Sequence, residues 1–383
     1  MKIAIDGRVL MTNNYSGVPE ATYNLLSALL ALDHSNEYLV FYNSARPVVL
    51  PDFTAPNLRY IRTTIPNKIL NYLLFSTLGQ PKISTLLREK VDLWFMPHLN
   101  FIALDPSLAN ILTVHDLSFL RYPEFFSARK NFWHRAINAP RLITACDQVI
   151  AMSEHTKRDL LELTSIDPLK VQVIYGAAAP EFRVLADSDP SLELVRHKFN
   201  LPKRFIFSLA TIEPRKNLLS LISAYELLKA QAGYSDLELI IAGARGWKST
   251  AVYQAAANSR YSKQIRFLNY IDRSEQVALY NLASVFAFPS YYEGFGIPPL
   301  EALACACPVV ASWGTSLSEV LADAALLINP YDPSDLVEAL NAVLTDQDLA
   351  LKLRIKGLKQ AAKFDWSKSA EQYLEIFKIS QKN

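Results

Sequence analysis

"VFAFPSYYEGFGIPPLEALACACPVVAS", residues 285–312, holds two short apolar runs separated by a glycine- and proline-rich loop and a run of small residues. "VFAFP" and "PVVAS" are too short for globular helices and carry no polar alternation, so they read as strands buried on both faces. Gly294 and Gly296 permit a close backbone turn between them. Pro298-Pro299 stops strand pairing and favours a helix start, which puts "LEALACA" on a buried helix. Strand, loop, helix and strand in that order make the unit of a parallel sheet. The loop also sets Glu293 before the helix and Glu301 in its expected first turn. A carboxylate beside a small apolar helix is costly to bury unless it is paired or hydrogen-bonded.

The same alternation extends outward in both directions. "KIAID", "YLVFYN", "DLWFMP", "NILTV", "QVIAMS" and "VQVIY" read as buried strands, separated by helical stretches such as "PEATYNLLSALLAL" and "SEHTKRDLLEL". After Tyr175 the pattern stops, and residues 176–203 contain no buried strand. It restarts with "FIFSLA", "LELIIAG", "IRFLNY", "VFAFP", "PVVAS" and "ALLIN". The expected fold class is α/β, with two doubly wound, Rossmann-like parallel-sheet domains over residues 1–180 and 181–365. "FDWSKSAEQYLEIFKI" reads as an amphipathic helix closing the chain at 366–383. The length of 383 residues fits two cores.

Composition narrows the function. Half of the residues are hydrophobic and the formal net charge is +2, so no strong field points to nucleic acid. "MKIAIDGRVL" reads as a buried strand and not as a signal peptide, and no apolar run is long enough to span a bilayer. Cys146, Cys305 and Cys307 have no metal-like partner spacing and read as reduced thiols of a cytoplasmic protein. No metal site and no cofactor are expected.

Ligands of doubly wound sheets lie beyond the carboxyl ends of the strands, and both halves carry candidate residues there. Gly17 precedes a helix start, with Pro19 near its first position. Glycine there lets amides and the helix dipole meet an anion, although a plain turn glycine explains the residue as well. Neither a dinucleotide fingerprint nor a Walker loop is present, which argues against a nicotinamide enzyme, an epimerase and a P-loop ATPase. In the second half, Arg215 and Lys216 lie where "FIFSLA" gives way to a helix. A fork of donors beside a point charge suits a diphosphate; an exposed basic turn is the bland alternative. Two acids on one turn opposite two cations favour a polyhydroxyl ligand, with one acid for each of two polyols.

At these residues the chain resembles the retaining glycosyltransferases of family 4, which use the two-domain GT-B fold. "EGFGIPPLEA" matches the paired-glutamate motif, "EPRKN" the diphosphate turn, "TVHDLSFLRYPEFF" the His-Asp segment and "SEHTKRDL" the serine-led segment. Within the family it is most similar to bacterial mannosyltransferases of O-antigen and exopolysaccharide synthesis. The resemblance implies two domains facing across a cleft, with the last helix packing back on the first domain. It implies that Glu301 holds the ribose and Glu293 the transferred sugar, supported by the backbone at Gly294, Phe295, Gly296 and Ile297. Arg215 and Lys216 would carry the departing diphosphate, approached by Gly17, and His115 would face the reacting carbon. Asn269, Tyr270 and Ile271 would meet the base. GDP-mannose is the donor implied, with UDP- or ADP-sugars as alternatives, and the acceptor is a growing or lipid-linked glycan.

The chain departs from the family pattern at Ser16-Gly17, where a glycine pair is frequent, and at Pro19 and Ala210, where single glycines are. No Asp-x-Asp motif is present, so Arg215 and Lys216 would replace the metal used by transferases of a different fold. "NKILNYLLFSTLGQPKISTLLREK" and "RYPEFFSARKNFWHRAINAPRLI" mix aromatics with cations, as surfaces resting on anionic lipid do, although core aromatics with a solvated basic face are the better reading of either segment alone. A glycan-binding module with an inactive site is the non-enzyme alternative.

Overall fold

The strands read from the sequence assemble into two parallel sheets. The structure, a computed structural model, describes residues 1–12, 17–76 and 80–381. The first sheet contains β1 (Lys2–Asp6), β2 (Glu37–Asn43), β3 (Leu58–Thr63), β4 (Leu93–Met96), β5 (Ala109–Val114), β6 (Gln148–Ala151) and β7 (Val171–Val173). Its order is β3-β2-β1-β4-β5-β6-β7. The second contains β8 (Arg204–Leu209), β9 (Leu237–Ala242), β10 (Ile265–Asn269), β11 (Val285–Phe288), β12 (Val309–Ser312) and β13 (Leu326–Ile328), ordered β10-β9-β8-β11-β12-β13.

Central strands are apolar on both sides because helices cover both faces. Every residue of β4, β5, β11 and β12 is buried. The chain leaves β1 toward one edge through β2 and β3, then returns to β4 on the other side of β1. The second sheet repeats the reversal between β8 and β11. Loops leave these strand pairs in opposite directions and open a crevice at the carboxyl edge.

Two compact units result: Met1–Arg121 with Ala128–Gly176 and Asp365–Asn383, and Tyr122–Ser127 with Ala177–Phe364. The helix Trp366–Ile379 belongs to the first unit because its buried stripe fits there. Tyr373 and Phe377 pack on Phe95 of β4 at ring distances of 5.4 and 5.3 Å, and the Tyr373 hydroxyl pairs with Thr113 Oγ1 of β5 at 2.9 Å.

The strand β3 escapes the sequence reading. "LRYIRT" is an edge strand with only partial burial, and it lacks the apolar run that marks its neighbours. Edge strands carry charge where central ones cannot, and Arg59 there pairs with Glu37 and Glu89.

Candidate functional site

The second unit gathers its charged residues at its point of strand reversal. After β8 the chain passes through a short 3-10 turn, Pro214–Lys216, and Asn217 in a left-handed conformation (φ 52°) before the helix Leu218–Lys229. After β11 the loop carries Tyr291, Tyr292 and Glu293 into the helix Ile297–Ala304. Because β8 and β11 are neighbours, the two loops meet.

They meet through Glu293. Its Oε2 accepts from Arg215 Nη1 at 2.9 Å and its Oε1 accepts from Lys216 Nζ at 2.6 Å. Arg215 also donates from Nε and Nη2 to Glu213 Oε1, at 3.2 and 2.9 Å. Lys216 lies 4.9 Å from the centroid of the Phe288 ring, a cation–π contact. Only 9% of the Glu293 side chain and 11% of the Lys216 side chain remain exposed, so water screens this pairing weakly. Burial opposes ionisation of Glu293, but the attraction of Arg215 and Lys216 outweighs it and holds the carboxyl below the usual carboxylate range. Burial and the Arg215 charge hold the Lys216 ammonium below its ordinary value despite Glu293.

Glu301 sits differently from its expected place. The helix starts at Ile297 with Gly296 as its cap, so Glu301 falls in the second turn and not the first. From there its carboxylate is beyond the unpaired amides of the first turn. It is 2% exposed and accepts a hydrogen bond from the Tyr280 hydroxyl at 3.1 Å. The two acids are thus held by different groups, one by cations and one by a phenol.

The glycines and their neighbours shape this loop. Gly296 adopts φ 99°, a conformation that favours glycine, and a Cβ there would displace Leu317 Cδ2, 2.5 Å away. Gly294 is buried, and the Phe295 ring lies 5.7 Å from that of Phe364. Ile297 is the first residue of the helix. Ser316 Oγ donates to the Glu293 carbonyl at 2.9 Å and pins the loop from its other side.

At the end of β10, Asn269 takes φ 56° and its carbonyl accepts from Gly243 N at 2.7 Å. The Ile271 carbonyl accepts from Gln276 Nε2 at 3.2 Å, whereas Tyr270 is 43% exposed. Gly243 is required by close packing, since a Cβ there would lie 1.9 Å from the Ala210 carbonyl oxygen.

In the first unit, Gly17 caps the helix Val18–Leu32 with φ 59° and Pro19 in its first turn; nothing lies within 4 Å of where its Cβ would be. Ser16 lies outside the described residues. His115 follows β5, and its Nε2 is 2.8 Å from the Pro97 carbonyl. A carbonyl only accepts, so this nitrogen carries the proton and Nδ1 is left as an acceptor. Burial keeps the ring below the ordinary histidine range, in its neutral form.

Sequence reasoning missed Glu213, Tyr280, Tyr291, Tyr292 and Ser316. The acid at the head of "EPRKN" was visible, but its burial and its grip on Arg215 depend on tertiary packing. Among the described residues no cluster of His, Cys, Asp or Glu is arranged to hold a metal ion.

Residues 15–182 match the family model described as Glycosyltransferase Family 4, and residues 193–360 match that described as Glycosyl transferases group 1. Solved structures of the same fold include sucrose-phosphate synthase from Thermosynechococcus elongatus, with TM-score 0.74, 19% identity and 98% of each chain covered. HepE from Anabaena in complex with UDP-glucose gives TM-score 0.73 and 17% identity, with 99% of each chain covered. These likenesses define the fold as GT-B. The chain belongs to the family 4 glycosyltransferases. Its relatives include the serotype-specific mannosyltransferase WbdA of Escherichia coli, 33% identical over 70% of this chain and 33% of the relative. They also include O-antigen chain mannosyltransferase B of Escherichia coli, 29% identical over 70% of each. The chain spans about a third of the length of the first of these relatives.

The buried pairing makes a stability prediction. Glu293→Ala leaves Arg215 and Lys216 buried beside each other without their shared anion, and is expected to destabilise the protein by about 3–5 kcal/mol in urea titrations. The difference from the native protein should narrow in acid, because a depressed carboxyl stabilises above its unfolded pKa and loses that contribution as pH falls through its lowered folded value. A loss under about 1 kcal/mol, the range of exposed pairs, would show that the cluster is solvated.

Proposed function

We propose that this chain is a retaining glycosyltransferase that moves mannose from GDP-mannose onto a growing or lipid-linked glycan of a surface polysaccharide. The observation that carries the transferase reading is the Glu293–Arg215–Lys216 cluster at the strand reversal of the second unit. Breaking a sugar–phosphate bond builds negative charge on the departing diphosphate, and fixed cations there stabilise it without reorganising. Arg215 supplies a fork of donors and Lys216 a point charge.

In the cluster both cations have an anion in Glu293. A diphosphate carries more charge than one carboxylate and competes for the same donors. Its arrival would release Glu293, whose oxygens then accept from hydroxyls of the transferred sugar. Glu301, restrained by Tyr280, accepts from the ribose hydroxyls. The sugar is supported by the backbone at Gly294, Phe295, Gly296 and Ile297, and the diphosphate by Gly17. His115, neutral, serves the reacting carbon, and the backbone at Asn269, Tyr270 and Ile271 meets the base.

The choice of mannose and guanine rests on similarity to the Escherichia coli mannosyltransferases, since the motifs suit a diphosphate and a polyol but read no base. Contact with the cytoplasmic face of a membrane is part of the same reading. The helix Ala128–Ile137 exposes Phe132 (69%) beside Arg129, Lys130 and Arg135, has no acid, and suits anionic lipid. No helix among the described residues is long and apolar enough to cross a membrane.

Two outcomes are expected. GDP should raise the melting temperature more than UDP or ADP at equal concentration, by mass action on the native state. A larger shift with UDP removes guanine and mannose while leaving a sugar transferase. Transfer should also persist in a metal chelator, because protein cations carry the leaving group; complete loss restored by magnesium would contradict that.

A further inference from the structure

Along the chain the segment Tyr122–Ser127 follows the helix Ser118–Arg121 and precedes the helix Ala128–Ile137, both of the first unit, yet it is itself part of the second. Its contacts include two loops of that unit. On one side, Trp247 Nε1 donates to the Phe125 carbonyl at 2.8 Å, and the Trp247 ring stacks on Phe126 at 5.7 Å and 19°. Lys248 Nζ donates to the Glu124 carbonyl at 2.7 Å. On the other side, the Phe125 ring stacks on Tyr291 at 5.6 Å and 16°, and Tyr122 packs edge-on against Tyr292 at 5.6 Å. The Tyr291 ring also lies 5.1 Å from that of Tyr331.

Trp247 follows β9 and Tyr291 follows β11, and these strands flank β8 in the sheet. The segment therefore spans the carboxyl end of β8, the strand that leads to Arg215. Tyr291 and Tyr292 are also the residues whose backbone grips Arg215: Tyr291 N donates to the Arg215 carbonyl at 2.9 Å, and the Tyr292 carbonyl accepts from Arg215 Nη1 at 2.8 Å.

We propose that Tyr122–Phe126 is a positioning strap for the diphosphate-binding turn, acting through the Tyr291-Tyr292 backbone to hold the Arg215 guanidinium in place. Phe125 and Trp247 are positioning residues, with no contact to the donor required. The observation that separates this role from general packing is the coincidence of partners. The two tyrosines that receive the aromatic rings are the two that bind Arg215 on its main chain and on its side chain. A strap that only filled space would have no reason to end there. The inference rests on the transferase reading for what Arg215 holds, but its anchoring of Arg215 is independent of the sugar.

The test uses the full chain and two readouts, binding of inorganic pyrophosphate by calorimetry and turnover of GDP-mannose. Phe125→Ala and Trp247→Ala should each weaken pyrophosphate by about two- to thirtyfold, the range of couplings carried by packed side chains. Phe125→Tyr should restore native affinity. In an Arg215→Ala background Phe125→Ala should add no further loss, because residues acting through one group are not additive. A lowered melting temperature with unchanged pyrophosphate affinity, or losses that multiply in the double variant, overturns the proposal. Should Phe125→Ala fail to fold, Phe125→Leu keeps the bulk without the stacked ring and is read in the same way. Failure of the transferase reading looks different: the native protein would bind pyrophosphate with the same dependence on Phe125 and turn over no nucleotide sugar.

Discussion

One buried carboxylate organises the second unit. Glu293 takes two cations from a neighbouring loop and is the carboxylate the two share, while Glu213 holds Arg215 from its other donors. The constraint reaches outward from there. Glu293 must sit in the loop after β11 and its partners in the loop after β8, so β8 and β11 must be adjacent, and the chain must reverse direction between them. Gly296 must then turn the backbone into the helix against Leu317, and Ser316 must fix the loop by the Glu293 carbonyl. The fold supplies the place, and the ion cluster explains why those residues occupy it.

The same cluster accounts for how a site can be charged, buried and yet receptive. On the proposed function, its cations are held in position by Glu293 before a diphosphate binds, so they would cost little reorganisation when negative charge develops. On the same reading the diphosphate replaces Glu293 as their anion. Glu301 is held differently, accepting from the Tyr280 hydroxyl on a buried helix, and on the proposed function it meets the ribose hydroxyls.

Most of the architecture was legible because parallel strands buried on both faces write themselves as apolar runs. The exception, β3, lies at the sheet edge, where Arg59 and Arg62 are tolerated and the signal disappears. The charged residues were legible for a related reason: each loop follows a strand, and strand ends in doubly wound sheets are where ligands bind. What could not be read was nonlocal. Tyr280 reaches Glu301 across 21 positions, and Trp247 reaches Phe125 across 122. The position of Glu301 in the second helical turn turned on where Gly296 caps the helix, and helix boundaries are the weakest part of any sequence reading.

The central claim, that Lys216 stabilises charge on a leaving diphosphate, is tested most directly by steady-state kinetics of Lys216→Ala with the sugar donor. Turnover should fall by about 10²–10³-fold, the scale of a lost charge-stabilising donor. A loss confined to the donor KM with turnover intact would contradict it, since the lysine would then bind the ground state and the transition state equally.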